Sequence, residues 1–291
     1  MKTIVTHNGS FHSDDVFAVA TLQLVYGVDA VTVVRTRDEA VIATADIVVD
    51  VGGMYDVAAG RFDHHQSGAP VRANGIPYAA FGLVWQTYGE QVAGSDVVAA
   101  EIERSIVLAV DADDSGMTLA DLRNPDIPTF ELDQVIRSFV PVRGSTESVD
   151  DAFMQAVDFA RGLLARLVVK KTAALAMDQL VIQTYTNATD KRCLEFSVPV
   201  STGACIDLPD VAVVVMPEDP ALNTNWTTST IRKERHSFDA RAYFPESWRG
   251  LRGAELAAVS EIADAVFCHK SGHFFVAGSR EGAMKAAEQA L

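Results

Sequence analysis

Six side chains in the chain's N-terminal part could hold metal ions: His7, His12, Asp14, Asp50, His64 and Asp111. All offer nitrogen or oxygen donors, and none is a thiolate. That is too many for one tetrahedral zinc. The set suits a pair of five- or six-coordinate divalent cations, with Mn²⁺ favoured over Mg²⁺ by the imidazoles. Two such cations roughly 3.5–4 Å apart can activate water and clamp a phosphoryl oxygen. The chemistry implied is hydrolysis at phosphorus. His65 and Asp114 stand in reserve beside the set, as groups for the reacting atoms.

The densest stretch is Asp63-His64-His65-Gln66. Buried acids and imidazoles each need a partner or a metal. Adjacent side chains cannot share one face of a strand or helix. A loop, however, can turn both imidazoles toward one pocket, or give one to a metal and one to a substrate. A solvated surface turn would explain an isolated pair of histidines. It does not explain the other acids and histidines at the ends of neighbouring apolar runs.

The elements that must position these groups follow from periodicity. Residues 3–6 read as a buried strand running into His7-Asn8-Gly9-Ser10-Phe11-His12-Ser13-Asp14. A helix follows, with Ser13 or Asp14 as its cap, an apolar stripe of Val16, Val19, Ala20 and Leu24, and Gly27 at its end. Residues 30–35 form the next strand, 38–45 a short helix, and 47–51 a third strand closed by Gly52-Gly53. Alternation at this spacing predicts an α/β fold with a parallel, helix-covered sheet. Ligands of such sheets bind at the carboxyl ends of the strands, where His7, His12, Asp14 and Asp50 fall. Asp50 interrupts an apolar run, so its charge calls for a cation. Residues 78–88 and 96–110 read as helices, the second leading into Asp111-Ala112-Asp113-Asp114-Ser115-Gly116. This turn lacks the ligand spacing and terminal Glu of an EF-hand loop.

At 291 residues, 48% apolar and 22% charged, the chain is long enough for two domains. Its longest apolar runs, 106–110 and 211–216, are far short of a membrane span. The N-terminus enters a strand directly, with no secretory pattern. Three cysteines, Cys193, Cys205 and Cys268, without CxxC spacing argue for a reducing compartment, hence the cytoplasm. A formal charge of −15 excludes a surface that grips duplex nucleic acid throughout. Residues 231–252 run against that balance. There six basic residues (Arg232, Lys233, Arg235, Arg241, Arg249, Arg252) face three acids (Glu234, Asp239, Glu246), a pattern suited to a confined phosphate or to a domain interface.

Further along, residues 129–139 read as a helix and 147–183 as a long one, with Phe153, Val157, Leu164 and Val168 on a core-facing stripe. Strand-like runs at 194–198, 211–216 and 226–232, broken by prolines, predict a smaller α/β domain. The expected division is 1–145 for the metal-binding domain, 146–187 for a helical linker and 188–291 for a substrate-binding domain. Near the end, Ser271-Gly272-His273 precedes a helix starting near Arg280. Gly272 would let backbone N–H groups approach an anion, and a helix N-terminus favours phosphate.

His7…Asp14, the Asp50 strand, Asp63-His64-His65 and Asp111 resemble the successive motifs of the DHH phosphoesterase superfamily. Within it the chain is similar to the melanocyte-proliferating-gene family of exonucleases. The likeness is carried by Thr6-His7-Asn8-Gly9-Ser10-Phe11-His12, Val34-Arg35-Thr36-Arg37-Asp38, Val48-Val49-Asp50-Val51-Gly52-Gly53, Asp63-His64-His65-Gln66, Pro245-Glu246-Ser247-Trp248-Arg249-Gly250-Leu251-Arg252 and Arg280-Glu281-Gly282-Ala283. It spans nearly the whole chain, with Ser13-Asp14-Asp15 where members carry Cys-Asp-Glu. The resemblance implies a DHH-type catalytic domain. His7, His12 and Asp50 would hold one ion, and Asp14, Asp50, His64 and Asp111 the other. It further implies that His65 meets a non-bridging phosphate oxygen, while Arg232, Lys233, Arg249, Gly272, His273 and Arg280 bind substrate. The implied activity is 3′→5′ exonucleolytic hydrolysis of RNA or short oligonucleotides. A small-substrate phosphatase acting on pyrophosphate, a cyclic dinucleotide or a nucleoside phosphate, or a non-catalytic metal- or nucleotide-binding regulator, are the alternatives left open. A homodimer is compatible with so apolar a chain, though no residue marks an interface.

Overall fold

The computed structural model describes residues 1–120, 124, 126–127, 129–221, 223–237 and 239–291. These form two compact units, Met1–Ala173 and Ala174–Leu291. In the first, β1 (Lys2–Thr6) is followed by α1 (Ser13–Tyr26), β2 (Val31–Arg35), α2 (Glu39–Thr44), β3 (Ile47–Val49), β4 (Tyr55–Asp56) and β5 (Arg61–Phe62). The sheet order is β2-β1-β3-β5-β4. The β-branched runs Thr3-Ile4-Val5-Thr6 and Ile47-Val48-Val49 pair in parallel at its centre, and only the short edge strand β4 is antiparallel. Parallel strands need covered faces, and α1 covers one of them.

Helix α1 is buried through Gln23 rather than along one stripe, because it lies against the sheet while also packing on α3 (Ala80–Ala93), α5 (Leu108–Asp114) and α6 (Leu132–Arg137). Phe17 and Phe81 meet at 5.3 Å between ring centroids, both fully buried. Each such side chain contributes about 1.5–3 kcal/mol by leaving water. His12, not Ser13 or Asp14, stands at the N-cap of α1; Asp15 Oδ1 accepts its backbone N–H at 2.9 Å. Helix α4 (Asp96–Ile102) runs through a π-helical turn at Glu103–Val107 into α5. That wider turn re-phases the residues after it, Asp111 and Asp114 among them. Helix α6 is shorter than the sequence pattern suggests.

The long helix α7 (Val149–Asn187) passes through the division between the units. The second unit then adds β6 (Cys193–Glu195), β7 (Val213–Pro217), β8 (Trp226–Thr230), α8 (Gly253–Ser260), β9 (Ala265–Cys268), β10 (Phe274–Ala277) and α9 (Arg280–Ala290). Its sheet has the order β6-β7-β8-β10-β9, with only β6 and β7 parallel. Val213 and Val215 pack on Phe244, Trp248 and Phe275, while Val214 packs on the opposite side with Leu194, Val211 and Ile231. This period of two buries both faces. No helix among the described residues is long and apolar enough to cross a membrane.

Candidate metal centre

Strands β1, β3 and β5 deliver His7, Asp50 and the Asp63-His64-His65 loop to one edge of the first sheet, and α1 brings His12, Asp14 and Asp15 there. Asp50 is central. Its Oδ2 lies 3.3 Å from His7 Nε2, and its Oδ1 lies 3.3 Å from His64 Nε2. Each carboxylate oxygen thus serves a different group. His7, His12 and Asp50 bring one ligand atom each to within 4.8 Å of one another, and so do Asp14, His64 and Asp114. The backbone at Asp50 is left-handed, with φ 55°, a conformation that is sparsely populated outside glycine and found at functional sites.

Asp114, rather than Asp111, stands among the clustered donors. Its Oδ2 is 3.3 Å from His64 Nε2. Asp111 lies in none of the clusters of metal-competent side chains found among the described residues. The reason is Arg72, buried beneath the site, whose Nη1 reaches Asp111 Oδ2 at 2.7 Å while its Nε holds Glu103 at 3.0 Å. Asp111 Oδ1 also accepts the Gly82 N–H at 3.0 Å. A Cβ on Gly82 would fall 1.8 Å from Asp111 Oδ2, so only glycine admits this arrangement. Asp14 accepts the Ala80 and Phe81 N–H groups at 3.0 and 2.6 Å. Helix α3 has no side-chain cap at Ala79, and these two carboxylates satisfy its first donors instead.

Asp63 and Asp15 are the residues that sequence reasoning left out of the site. Asp63 is buried, and its Oδ1 accepts from His64 N (2.8 Å), His65 N (3.2 Å) and His65 Nδ1 (2.7 Å). Its Oδ2 accepts from Gly53 N at 2.5 Å. Although close enough to Asp50 to count as a ligand, it is committed to pinning the loop. His65 is left with its side chain 62% exposed and Nε2 free of that bond. Asp15 Oδ2 lies 3.3 Å from His7 Nε2; an acid in the first turn of a helix entered by His7 and His12 was the signal for it.

The electrostatics call for a cation. Burial, followed by the charges of Asp50 and Asp114, pushes Asp14 well above the usual carboxyl range. Burial likewise pushes Asp15 up to about 7 and raises Asp114. Burial works against the charge on Asp50 too, but His64 and His7 outweigh it and hold that carboxyl far below its ordinary value. His7 and His64 are raised because Asp50, aided by Asp15 and Asp114 respectively, overcomes their burial. His12 is lowered, first by burial and then by Arg137 and His7. Asp15 Oδ2, Asp50 Oδ1 and His64 Nε2 are buried without a hydrogen-bond partner. Orphaned oxygen and imidazole donors converging on like-charged neighbours fit divalent cations of the Mn²⁺ or Mg²⁺ kind.

In the second unit the basic cluster is mostly structural. Arg280 is bound through Nε and Nη2 to Glu195 at 2.5 and 2.5 Å, so it is engaged rather than open to a phosphate. Arg249 Nε and Nη2 both donate to the Phe244 carbonyl at 3.0 and 3.0 Å. Gly272, at φ 69°, makes room for Arg249, whose Nε a Cβ there would meet at 2.5 Å. That close packing is what requires a glycine here. Lys233 is exposed and is not among the residues lining the cavity around Arg232. Arg232 and His273 do line one, of about 530 Å³, with Thr202, Ser229, Thr230 and Arg235.

An α/β sheet carrying this donor set, in a chain matched over its length to one family, defines a metal-dependent phosphoester hydrolase. The match runs over residues 3–291 to the MYG1_exonuc model, described as an uncharacterised protein family (UPF0160), and the chain belongs to that family. It is 32% identical over 324 residues to the MYG1 exonuclease of Mus musculus, covering 99% of this chain and 84% of that one. The Homo sapiens MYG1 exonuclease is 30% identical over 324 residues, with 99% and 85% covered. Among solved structures there is a slight likeness to the pGpG-specific phosphodiesterase PggH of Vibrio cholerae (TM-score 0.35, 13% identity, 95% and 92% covered). RecJ of Thermus thermophilus in complex with Mn²⁺ is similarly distant (TM-score 0.27, 12% identity, 99% and 52% covered).

Proposed function

We propose that this phosphoesterase is a 3′→5′ exonuclease acting on RNA or short oligonucleotides, served by two divalent cations, Mn²⁺ before Mg²⁺. The observation that carries the two-ion reading is Asp50, whose oxygens face His7 and His64 separately at 3.3 Å. His7, His12 and Asp50 would hold one cation, and Asp14, His64, Asp114 and Asp50 the other. Bound there, the cations supply Lewis acidity toward a phosphoryl oxygen and lower the pKa of water toward neutrality. The chain's own groups do the rest. Asp63 fixes the His65 ring through Nδ1, which turns Nε2 outward to meet a non-bridging oxygen of the scissile phosphate. In the second unit, Arg232 offers positive charge and Ser229 and Thr230 offer hydroxyls around a cavity sized for a nucleotide. The names of the mouse and human relatives support an exonuclease. Cys193, Cys205 and Cys268 are unpaired, in keeping with a cytoplasmic setting.

The test is metal analysis of the purified protein together with release of mononucleotides from RNA labelled at either end, wild type against Asp50→Asn. Mn²⁺-dependent release beginning at the 3′ end, lost in the variant, is expected. Equal release by both proteins overturns the site. Release beginning at the 5′ end overturns the direction.

A further inference from the structure

His7 and His12, both assigned above to the first cation, flank one short loop, residues 8–11, between β1 and α1. Among the described residues these four make no backbone–backbone hydrogen bond outside the regular elements. Side chains hold them instead. The Asn8 carbonyl lies 3.1 Å from His7 Nδ1. A carbonyl only accepts, so Nδ1 carries a proton, and Nε2, which faces Asp50, is the nitrogen left for a metal. The next carbonyl, that of Gly9, accepts from Arg35 Nη2 at 2.7 Å. Phe11 is fully buried, and His12 follows it as the N-cap of α1.

Arg35 ends β2, where its backbone pairs with Thr6, the residue before His7. Its side chain is only 2% exposed. The guanidinium lies 4.6 Å from the centre of the Phe153 ring and 5.5 Å from that of Phe11, and the two rings meet edge to face. Nη1 pairs with Asp150 at 2.8 Å, a carboxylate 67% exposed, and the buried Nε has no partner. A buried charge with an orphaned donor and a solvated counter-ion is a costly way to fill space between two phenyl rings, where an apolar side chain would pack more favourably. What an apolar side chain cannot do is donate to the Gly9 carbonyl. We propose that Arg35 is a positioning residue for the cation held by His7 and His12: it clamps the loop that joins the two imidazoles and ties it to the first turns of α7, where Asp150 and Phe153 stand. This deepens the two-cation reading and rests on it.

Calorimetric titration of the full-length, metal-stripped protein with Mn²⁺ tests it. The wild type is expected to take up two Mn²⁺. Arg35→Met, which keeps the bulk, should weaken one of them about tenfold, as losing an outer partner of a metal ligand does, and leave the other within roughly twofold. His12→Ala identifies the affected cation. Adding Arg35→Met to His12→Ala should change little further, whereas adding it to Asp114→Asn should multiply the separate losses. A residue that merely stabilised the unit would weaken both cations alike and multiply with either variant. Equal weakening of both cations, no weakening, or losses that multiply with His12→Ala overturns the proposal. Should Arg35→Met fail to fold, Asp150→Ala at its exposed position takes its place. It should weaken the same cation by roughly twofold to fivefold, the worth of an exposed ion pair, and unchanged affinity there overturns the proposal as well. A wild type that takes up a single Mn²⁺ would sink the two-cation reading and this inference with it. Two cations, neither touched by Arg35→Met, would sink this inference alone.

Discussion

Asp63→Asn isolates the role of the loop's anchor, because the substitution keeps the shape and removes one acceptor. In the native protein Oδ1 accepts three N–H groups, at 2.8, 3.2 and 2.7 Å, and Oδ2 accepts one, from Gly53 at 2.5 Å. An asparagine must turn its NH₂ to one side or the other. Facing His64 and His65 it would strand three donors; facing Gly53 it strands one. The oxygen therefore stays with the histidines, and a buried NH₂ opposes the Gly53 N–H. An unsatisfied buried donor costs about 1–3 kcal/mol. At about 2–4 °C per kcal/mol for a unit of this size, the melting temperature in EDTA should fall by roughly 2–12 °C. The disturbed turn follows Asp50 directly, so Mn²⁺ affinity should weaken roughly tenfold, as outer partners of metal ligands usually cause. Asp63→Ala, which strands all four donors, should lose more on both counts. Thermal melts in EDTA and Mn²⁺ titrations read the two effects. If Asp63→Asn melts within about 1 °C of wild type and binds Mn²⁺ equally, Asp63 is not what holds the loop.

Asp111 and Asp114 should separate cleanly. Asp114→Asn should weaken Mn²⁺ binding at least about tenfold while leaving EDTA-treated protein as stable or more so, since it removes a charge crowded by Asp50. Asp111→Asn should spare Mn²⁺ affinity but destabilise by about 1–3 kcal/mol, because it takes the charged acceptor from Arg72 Nη1 and leaves Glu103 as that guanidinium's remaining carboxylate. The opposite pattern, read by calorimetry and urea melts, would return Asp111 to the ligand set. The metal-free protein should also lose stability as pH rises. Asp15 and Asp111 titrate near 7 in the fold, against an ordinary carboxyl value of 3.8. A carboxyl raised in the folded state favours folding fully below its unfolded value and ceases to as pH climbs through its folded one. Raised His7 and His64 act in the same direction, and lowered His12 opposes them. Melts in EDTA should therefore drop between about pH 4 and 7, and Mn²⁺ should reverse the trend. A flat EDTA profile would show that these groups do not titrate as their burial requires.

Much of this was legible in the sequence because strands end where apolar runs end. His7 and Asp50 could be placed on one sheet edge from alternation alone, since a parallel sheet puts all its carboxyl ends together. What could not be read is which member of a pair on one helix faces the centre. Asp111 and Asp114 are three apart and share a side. The choice between them is made by a π-helical turn and by an arginine from a distant loop, and neither leaves a periodic trace. The C-terminal arginines mislead for a related reason. Composition counts their charge but not their partners, and Arg241 spends its guanidinium on the carbonyls of Leu208, Val211 and Ile206. At Gly272 the steric constraint comes from the Arg249 side chain, a partner that the sequence gave no means to see.

The same burial that makes the centre expensive to assemble explains why its supports are backbone amides. Asp14 sits against Ala80 and Phe81, Asp111 against Gly82, Asp63 against Gly53, His64 and His65, and Asp15 against His12 and Val16. Amides orient a carboxylate without adding a positive charge that would compete with a bound cation. An arginine or lysine in those places would neutralise the acids by itself and leave little affinity for a metal. The exception is Arg72, and the carboxylate it pairs with, Asp111, stands outside the clustered donors. In the centre proper, the raised histidines and carboxyls favour bound protons, which divalent ions held there would displace. Metal binding must then release protons and tighten as pH rises, the converse of the metal-free stability profile.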